Sequence, residues 1–199
     1  MNLTLVLLFI LTGTILAKQS SKRKQRMAVI RQAYYSNLFR FTYDLSRKVL
    51  ETKNKLEEEI PEKLKLRHDK FYRKTRTAFQ PQEQNEMERL NRQANELNSF
   101  VHRIKLAKSA EQNIKGDNLS LELMSIEVKL GILRMLLHRL MRKSHIRTKT
   151  KVQPTISTVK NNKLQTLTTL KDLQTSLAFM ILEFGKAKKP LNQKVASGN

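Results

Sequence analysis

The stretch MERLNRQANELNSFVHRI, residues 87–104, decides the fold class of this chain. Its apolar residues recur at alternating steps of three and four, which is the spacing of one face of an α-helix and not of a strand. They are Met87, Leu90, Ala94, Leu97, Val101 and Ile104. Glutamates crowd the start of this segment and basic residues its end, an order that the helix dipole favours. The pattern predicts a long amphipathic helix over about residues 83–114.

Helical spacing continues outward from this stretch, in blocks that proline and glycine separate. The predicted helices cover about residues 27–59, 62–79, 83–114, 119–143 and 155–184. Gly185 is expected to end the last of them as a left-handed C-cap. With only 5 glycines and 4 prolines, the chain has too few turn residues for a many-stranded sheet. The predicted fold class is therefore all-α, a single helical bundle of four long amphipathic helices plus one short helix.

The connections between the long helices are unequal in length. The connection is long after the first helix, about four residues after the next long helix, and about eleven residues before the last helix. Two longer connections around a short one are what an up-up-down-down bundle needs, because parallel neighbours require a crossover along the bundle. The last crossover is tight, since residues 144–154 reach about 37 Å when extended. We expect up-up-down-down in preference to up-down-up-down, which the sequence leaves open.

The block at 119–143 is apolar almost all the way round. A helix with so little polar surface either lies at the centre of a bundle or faces a membrane or a partner. Charged residues interrupt it too often for a membrane span. We expect it at the centre of the bundle.

An apolar run from Leu3 to Ala17 opens the chain, and the sequence turns polar at Lys18. This is the length and shape of a secretory signal, so residues 1–17 are predicted to be a signal peptide and the protein to be secreted and extracellular. Basic residues just after the run resist translocation, and a retained anchor with a cytosolic body is the alternative. Residues 18–26 are predicted to be a basic arm or propeptide. The chain has no cysteine, so its stability must come from packing alone.

The net charge is +22, from 39 Lys and Arg against 17 Asp and Glu. The excess is uneven: it concentrates in the arm, near residue 70, over residues 134–151, and in residues 186–199, which we predict to be a disordered basic tail. The helix at 83–114 is almost neutral. We therefore expect cationic surfaces attached to an ordinary core, with nucleic acid unfavoured as a partner because the cations lack interleaved aromatic residues.

Two clusters of cations are candidate sites. The arm carries Lys22, Arg23, Lys24 and Arg26, which we interpret either as an anion-binding cluster or as a convertase processing site. The second cluster is Arg139, Arg142, Lys143, Arg147, Lys149 and Lys151, predicted to bind anions. Its cations alternate with leucines, a pattern that would suit an acidic membrane surface or partner; alternatively, the cations simply line a helix end. Asn118 begins a sequon and is the candidate glycosylation site.

Chemistry at a catalytic centre is not expected. The four histidines stand in separate blocks except for His138 and His145, and no zinc-binding spacing accompanies them. We predict no catalytic residue, no metal site and no cofactor.

The sequence thus favours a secreted, non-enzymatic bundle that acts by binding. Helical cytokines share this fold class, so a cytokine-like ligand of a cell-surface receptor, retained by anionic glycans or an acidic protein surface, is the leading hypothesis by analogy of fold class alone. One alternative is a secreted effector of the saliva, venom or seminal-fluid type that sequesters an anionic partner. Another is an anchored cytosolic protein that pairs through the 87–104 seam as a coiled coil.

Overall fold

The structure is a computed structural model that describes residues 3–75, 85–112, 119–143 and 162–188. Its helices are α1 (Leu3–Glu59), α2 (Glu62–Thr75), α3 (Glu86–Glu111), α4 (Ser120–Lys143) and α5 (Asn162–Ala187). There is no strand in the described ranges, so the prediction of an all-α protein is confirmed there.

The first helix is longer than the periodicity indicates. We predicted a start at residue 27, whereas α1 is continuous from Leu3. The physical reason is that the sequence has no proline before Pro61, so nothing blocks the backbone hydrogen bonds of a continuous helix. The helix ends at Glu59 because Pro61 pushes the residue before it out of the helical region. The assignment of residues 1–17 as a signal peptide stays a prediction.

A side-chain cap fixes the start of α3. The Asn85 side-chain oxygen accepts a hydrogen bond from the backbone amide of Glu88 at 2.9 Å, and α3 therefore begins at Glu86. The sequence pattern had placed the start at 83, and residues 83–84 and 113–114 lie outside the described ranges.

The ends of α4 and α5 test two further predictions. The observed α4, Ser120–Lys143, agrees with the predicted 119–143 within one residue. The prediction that Gly185 caps α5 is wrong, because the helix continues through it to Ala187. A Cβ added at Gly185 would lie 3.3 Å from Cε2 of Phe39 on α1. This glycine thus serves the close packing of α1 against α5. The predicted residues 155–161 of the last helix lie outside the described ranges.

The short helix α2 contacts α5 through polar side chains. Nε2 of His68 lies 2.7 Å from Oγ1 of Thr168, and the Lys171 ammonium donates to Asp69 at 2.6 Å. The hydrogen bond from Lys171 is the main reason that the pKa of Asp69 lies below its ordinary value. The helix is described to Thr75, so its predicted end at 79 falls outside the described ranges.

One apolar core joins the four long helices. It contains Leu38, Leu45, Val49 and Leu56 from α1; Leu90, Leu97 and Ile104 from α3; Leu123, Ile126, Leu130, Leu133 and Leu137 from α4; and Leu170, Leu173, Leu177 and Phe184 from α5. Both α1 and α3 pack against α4 and α5. Most of the 87–104 seam is thus covered by the chain's own helices and is not available for pairing with another chain.

The expected central position of α4 is wrong. Its inner face lies in the core, but Leu121, Met124, Val128 and Met135 on the opposite face are exposed. The prediction of a central helix depended on this second apolar face of α4, which is open to solvent.

Two leucines on α4 provide a matched test of this packing. Leu123 is fully buried, whereas Leu121 is 73% exposed. We expect Leu123→Ala to lower the free energy of unfolding by about 2–5 kcal/mol, because it leaves a cavity. Leu121→Ala should change it by no more than about 0.5 kcal/mol. Urea denaturation of both variants measures the difference, and equal losses would contradict this orientation of α4.

Candidate functional site

The exposed residues of α4 change from mainly apolar to mainly basic along the helix axis. They are Leu121, Met124, Val128, Arg134, Met135, Arg139, Arg142 and Lys143. Apolar residues occupy the N-terminal half, and basic residues dominate the C-terminal half. We name this set, together with Gly131, the α4 outer face.

Neighbouring helices determine which residues of α4 face outward. Glu122 points sideways to α1, where its carboxylate accepts from the Lys55 ammonium at 2.5 Å. That hydrogen bond is the main reason that the pKa of Glu122 lies below its ordinary value. Glu127 points to α3 and accepts from Lys108 at 2.5 Å. Both acidic residues of α4 are thus turned toward neighbouring helices, and the α4 outer face carries no negative charge.

Three of the predicted anion-binding residues lie together at the C-terminal end of this face. Arg139, Arg142 and Lys143 are exposed, and none forms an ion pair with a residue in the described ranges. The half-buried His138 reports the same positive environment: burial, then Arg134 and Arg142, lower its pKa. Cations in the last turns also favour the helix dipole, so the position serves helix stability as well as anion attraction.

The other predicted sites fall on residues about which less is described. Lys22, Arg23 and Lys24 belong to the helical backbone of α1, but their side chains lie outside the described set. Arg26 is exposed. Arg147, Lys149, Lys151 and the sequon residue Asn118 lie outside the described ranges. The anion-binding, processing and glycosylation assignments of these residues stay predictions.

A polar groove between α3 and α5 was not foreseen from the sequence. Its volume is about 340 Å³. The Arg103 guanidinium donates to Asp172 at 2.7 Å, and the Ser176 hydroxyl donates to Glu96 at 2.8 Å. The Glu96 carboxyl is enclosed enough that burial raises its pKa, an effect that Ser176 partly offsets.

At one end of this groove, Glu183 joins two residues of α3. It accepts a hydrogen bond from Arg92 at 3.2 Å and another from the side-chain amide of Gln93. The polar groups of the groove thus largely satisfy one another across the α3–α5 boundary. Charges spaced along one side of each helix were the available signal, but the sequence does not show which two helices are neighbours.

Glu111, at the end of α3, is a fully buried carboxylate. Neither of its oxygens has a hydrogen bond of ordinary geometry to another described residue. Burial raises its pKa, and nearby Glu59 adds to this effect. The Leu119 amide and the Lys163 ammonium offset part of it.

No metal-binding group of three His, Asp or Glu side chains occurs among the described residues. Likewise, no helix is long and apolar enough to cross a membrane among the residues whose side chains are described, which are 25–70, 85–112, 119–143 and 163–188.

Replacing Glu111 with Gln tests the buried carboxylate. Because the folded-state pKa is raised, the contribution of this group to stability is fully present below the ordinary Glu pKa and is lost as pH rises through the raised value. The Gln side chain stays neutral, so we expect Glu111→Gln to be more stable than the native chain above that pH and similar below it. Urea unfolding across this pH range provides the measurement. Glu58→Gln, at an exposed position, is the control, and equal profiles for the two variants would contradict the expectation.

Comparisons with known proteins found no relative of this chain. No protein-family model matches it, and no curated protein or solved structure does so. The function is therefore inferred from the burial, contacts and charges of the described residues.

Proposed function

We propose that this chain is a secreted, non-enzymatic helical-bundle protein that acts by binding, as a cytokine-like extracellular ligand retained near cells by anionic glycans. The observation that carries the proposal is the exposed cluster of Arg139, Arg142 and Lys143, which has no acidic partner among the described residues. Cations held on a rigid helix end attract sulfated or phosphorylated polyanions by Coulomb attraction and release of counterions.

The use of acidic residues within the fold strengthens this argument. Many of the described acids form ion pairs between helices; they are Glu57, Glu59, Asp69, Glu86, Glu122, Glu127, Asp172 and Glu183. With 39 basic residues against 17 acidic ones, these internal pairs leave a surplus of cations for the outer surface. An anionic partner would meet little repulsion there.

An up-up-down-down topology belongs to the same proposal. Contacts between α1 and α5 support an antiparallel pair, since Glu59 bonds Lys163 at 2.6 Å while Phe39 lies against Gly185 near the other end. Contacts between α1 and α4 agree, because Lys55 bonds Glu122 while Lys129 lies over the Phe41 ring.

A parallel pair of α1 and α3 has independent support. Arg31 on α1 forms an ion pair with Glu86 at the start of α3. At their other ends, Glu59 of α1 lies close enough to Glu111 of α3 to raise the pKa of the Glu111 carboxyl. The connection at 144–161 lies outside the described ranges. Up-up-down-down is the topology that helical cytokines use.

Processing of the N-terminal segment is compatible with the core. All side chains from 25 to 30 are exposed, and the first core residue among the described side chains of α1 is Tyr35. The described part of the predicted propeptide, residues 25–26, thus contributes nothing to the core. We expect the mature chain to begin at Lys18 or Met27, and N-terminal sequencing of the natural protein tests this.

Two other functions are alternatives to this proposal. A secreted effector that sequesters an anionic partner would use the same cations without a receptor. A coiled-coil protein that pairs through the 87–104 seam is disfavoured, because Leu90, Leu97 and Ile104 are already fully buried within this chain.

Charge neutralisation tests the anion-binding part of the proposal. In Arg139→Gln/Arg142→Gln/Lys143→Gln, we expect heparin affinity at physiological salt to fall on the order of tenfold, because about three charge contacts are lost. The control Lys63→Gln/Arg67→Gln/Lys70→Gln removes the same charge from exposed positions on α2. Equal losses in both variants would show that net charge alone binds heparin and would contradict a site on α4.

Cell binding tests the ligand part. The native chain should bind cells saturably whether or not they carry heparan sulfate, with more protein retained when the glycan is present. Salt-sensitive heparin binding without a saturable receptor would favour the effector instead. No saturable binding on either kind of cell would overturn the receptor-ligand proposal.

A further inference from the structure

We propose that the α4 outer face is a docking site for an amphipathic helix of a partner protein, with the acidic end of that helix over Arg139, Arg142 and Lys143. This inference goes beyond glycan retention and does not require export of the chain.

The first observation is a line of exposed apolar residues along α4, which we call the apolar stripe. Leu121, Met124, Val128 and Met135 are 73%, 50%, 56% and 44% exposed, respectively. Their steps of three, four and seven keep them on one line along α4. The line is about 21 Å long at the helical rise. Single exposed apolar residues are ordinary, but an aligned set with no role in the core indicates contact with something outside the fold.

The second observation is Gly131, in the middle of this line. A Cβ added there would meet nothing within 4 Å, so packing among the described residues does not require a glycine. A glycine inside a helix is nevertheless less favourable than alanine by about 1 kcal/mol. Its useful property at such a place is the close approach that it allows to another backbone. The gap between Val128 and Met135 therefore fits a side chain or backbone of an opposing helix.

Charge specifies the kind of helix. Among the exposed residues of α4, the charged ones are Arg134, Arg139, Arg142 and Lys143, and none is acidic. A partner helix that carries acids in its first turns and packs antiparallel would place them over these cations. The dipoles of the two helices would also be aligned favourably in that orientation. Two methionines in the stripe give a surface that adapts to the partner's side chains.

A second copy of this chain fits this face poorly. In a parallel arrangement the basic ends of two α4 helices would lie together, and each copy carries a net charge of +22. In an antiparallel arrangement the cations of each copy would lie against the apolar half of the other and leave unpaired charges there.

A lipid surface fits less well than a helix. Helices that lie in a membrane interface have a broad apolar face with cations along the polar side. Here the apolar stripe is one residue wide, and the exposed cations of α4 stand toward one end. The exposed residues of the neighbouring α3 over 99–109 are Ser99, His102, Lys105, Leu106 and Ser109, so a single large apolar residue is exposed there. The small area of the stripe predicts a transient complex, with a dissociation constant on the order of micromolar.

Synthetic peptides provide the probe. The test peptide is an amphipathic helix with leucines on one stripe and glutamates in its first two turns. One control peptide carries lysines in place of the glutamates, and another has the same composition with the stripe scrambled. We expect the full chain to bind the test peptide at least about tenfold more tightly than either control, as measured by fluorescence anisotropy.

Variants locate the binding. Gly131→Leu fills the gap and should weaken peptide binding at least about tenfold while leaving thermal stability equal or higher, because the added side chain meets open space and favours the helix. Met124→Gln/Val128→Gln/Met135→Gln should weaken it similarly. The matched control Leu50→Gln/Leu66→Gln/Leu182→Gln alters exposed apolar residues on other helices and should bind as the native chain does.

Several outcomes would overturn the proposal. They are no preference for the acidic peptide, equal weakening by the control variant, unchanged binding by Gly131→Leu, and binding to phosphatidylserine vesicles through this stripe without binding to the peptide.

Self-association would also exclude the proposed occupant. Sedimentation of the native chain alone would reveal it, and its loss in Gly131→Leu would place it on this face.

Discussion

Burial of leucine faces between four helices is the constraint on which the rest of the structure depends. The chain has no cysteine and carries a net charge of +22, so neither a disulfide nor charge balance holds it together. Like charges oppose compaction, and the apolar core of α1, α3, α4 and α5 must outweigh that repulsion. The scarce acids then act at the boundaries between helices, where Glu122, Glu127 and Glu183 each meet a cation of a neighbouring helix. Such partly exposed pairs contribute little to stability individually, but they disfavour other helix registers, in which cations would face cations.

The same arrangement accounts for the outer surface. Each acid used between helices is neutralised by a cation, although some of these acids, such as Asp69, stay partly exposed. The surplus cations face solvent. On α4 this produces a helix whose acids point sideways and whose outer side is apolar at one end and basic at the other. The polar groove between α3 and α5 shows the opposite result, because there the charged groups of both helices largely neutralise one another. Surplus charge therefore remains on α4 and not in the groove, whose lining also includes Phe100 and Phe179.

Periodicity was sufficient to predict that the helices exist, because burial of one face forces steps of three and four. It was insufficient for their ends. The start of α3 depends on a single hydrogen bond to Asn85 from the Glu88 amide. Asn85 is the only Ser, Thr, Asp, Asn or Gly between Thr77 and Asn91, so this cap was readable from the sequence, and the prediction missed it by extending the helix to the acidic residues before it. The prediction missed the start of α1 because the apolar run at 3–17 and the amphipathic pattern after residue 27 look like separate segments. A continuous helical backbone can form across both, since no proline lies between them. Of the predicted cation cluster, Arg139, Arg142 and Lys143 are found together on one exposed helix end, since spacing along a helix fixes which residues share a face.

What sequence cannot supply is the other side of a contact, and the two helical glycines of α4 and α5 illustrate this. Both interrupt apolar helical stretches, and both suggest a break or a weakness when only the chain is considered. Gly185 is explained inside the fold, because Phe39 of α1 occupies the space that a side chain would need. Gly131 has no such neighbour. A helix retains a glycine at some cost in stability, and packing against another element is one reason to retain it. If close packing explains both glycines, the element that packs against Gly131 lies outside the described residues of this chain. It would lie on the α4 outer face, which also carries the apolar stripe and the cations without an acidic partner.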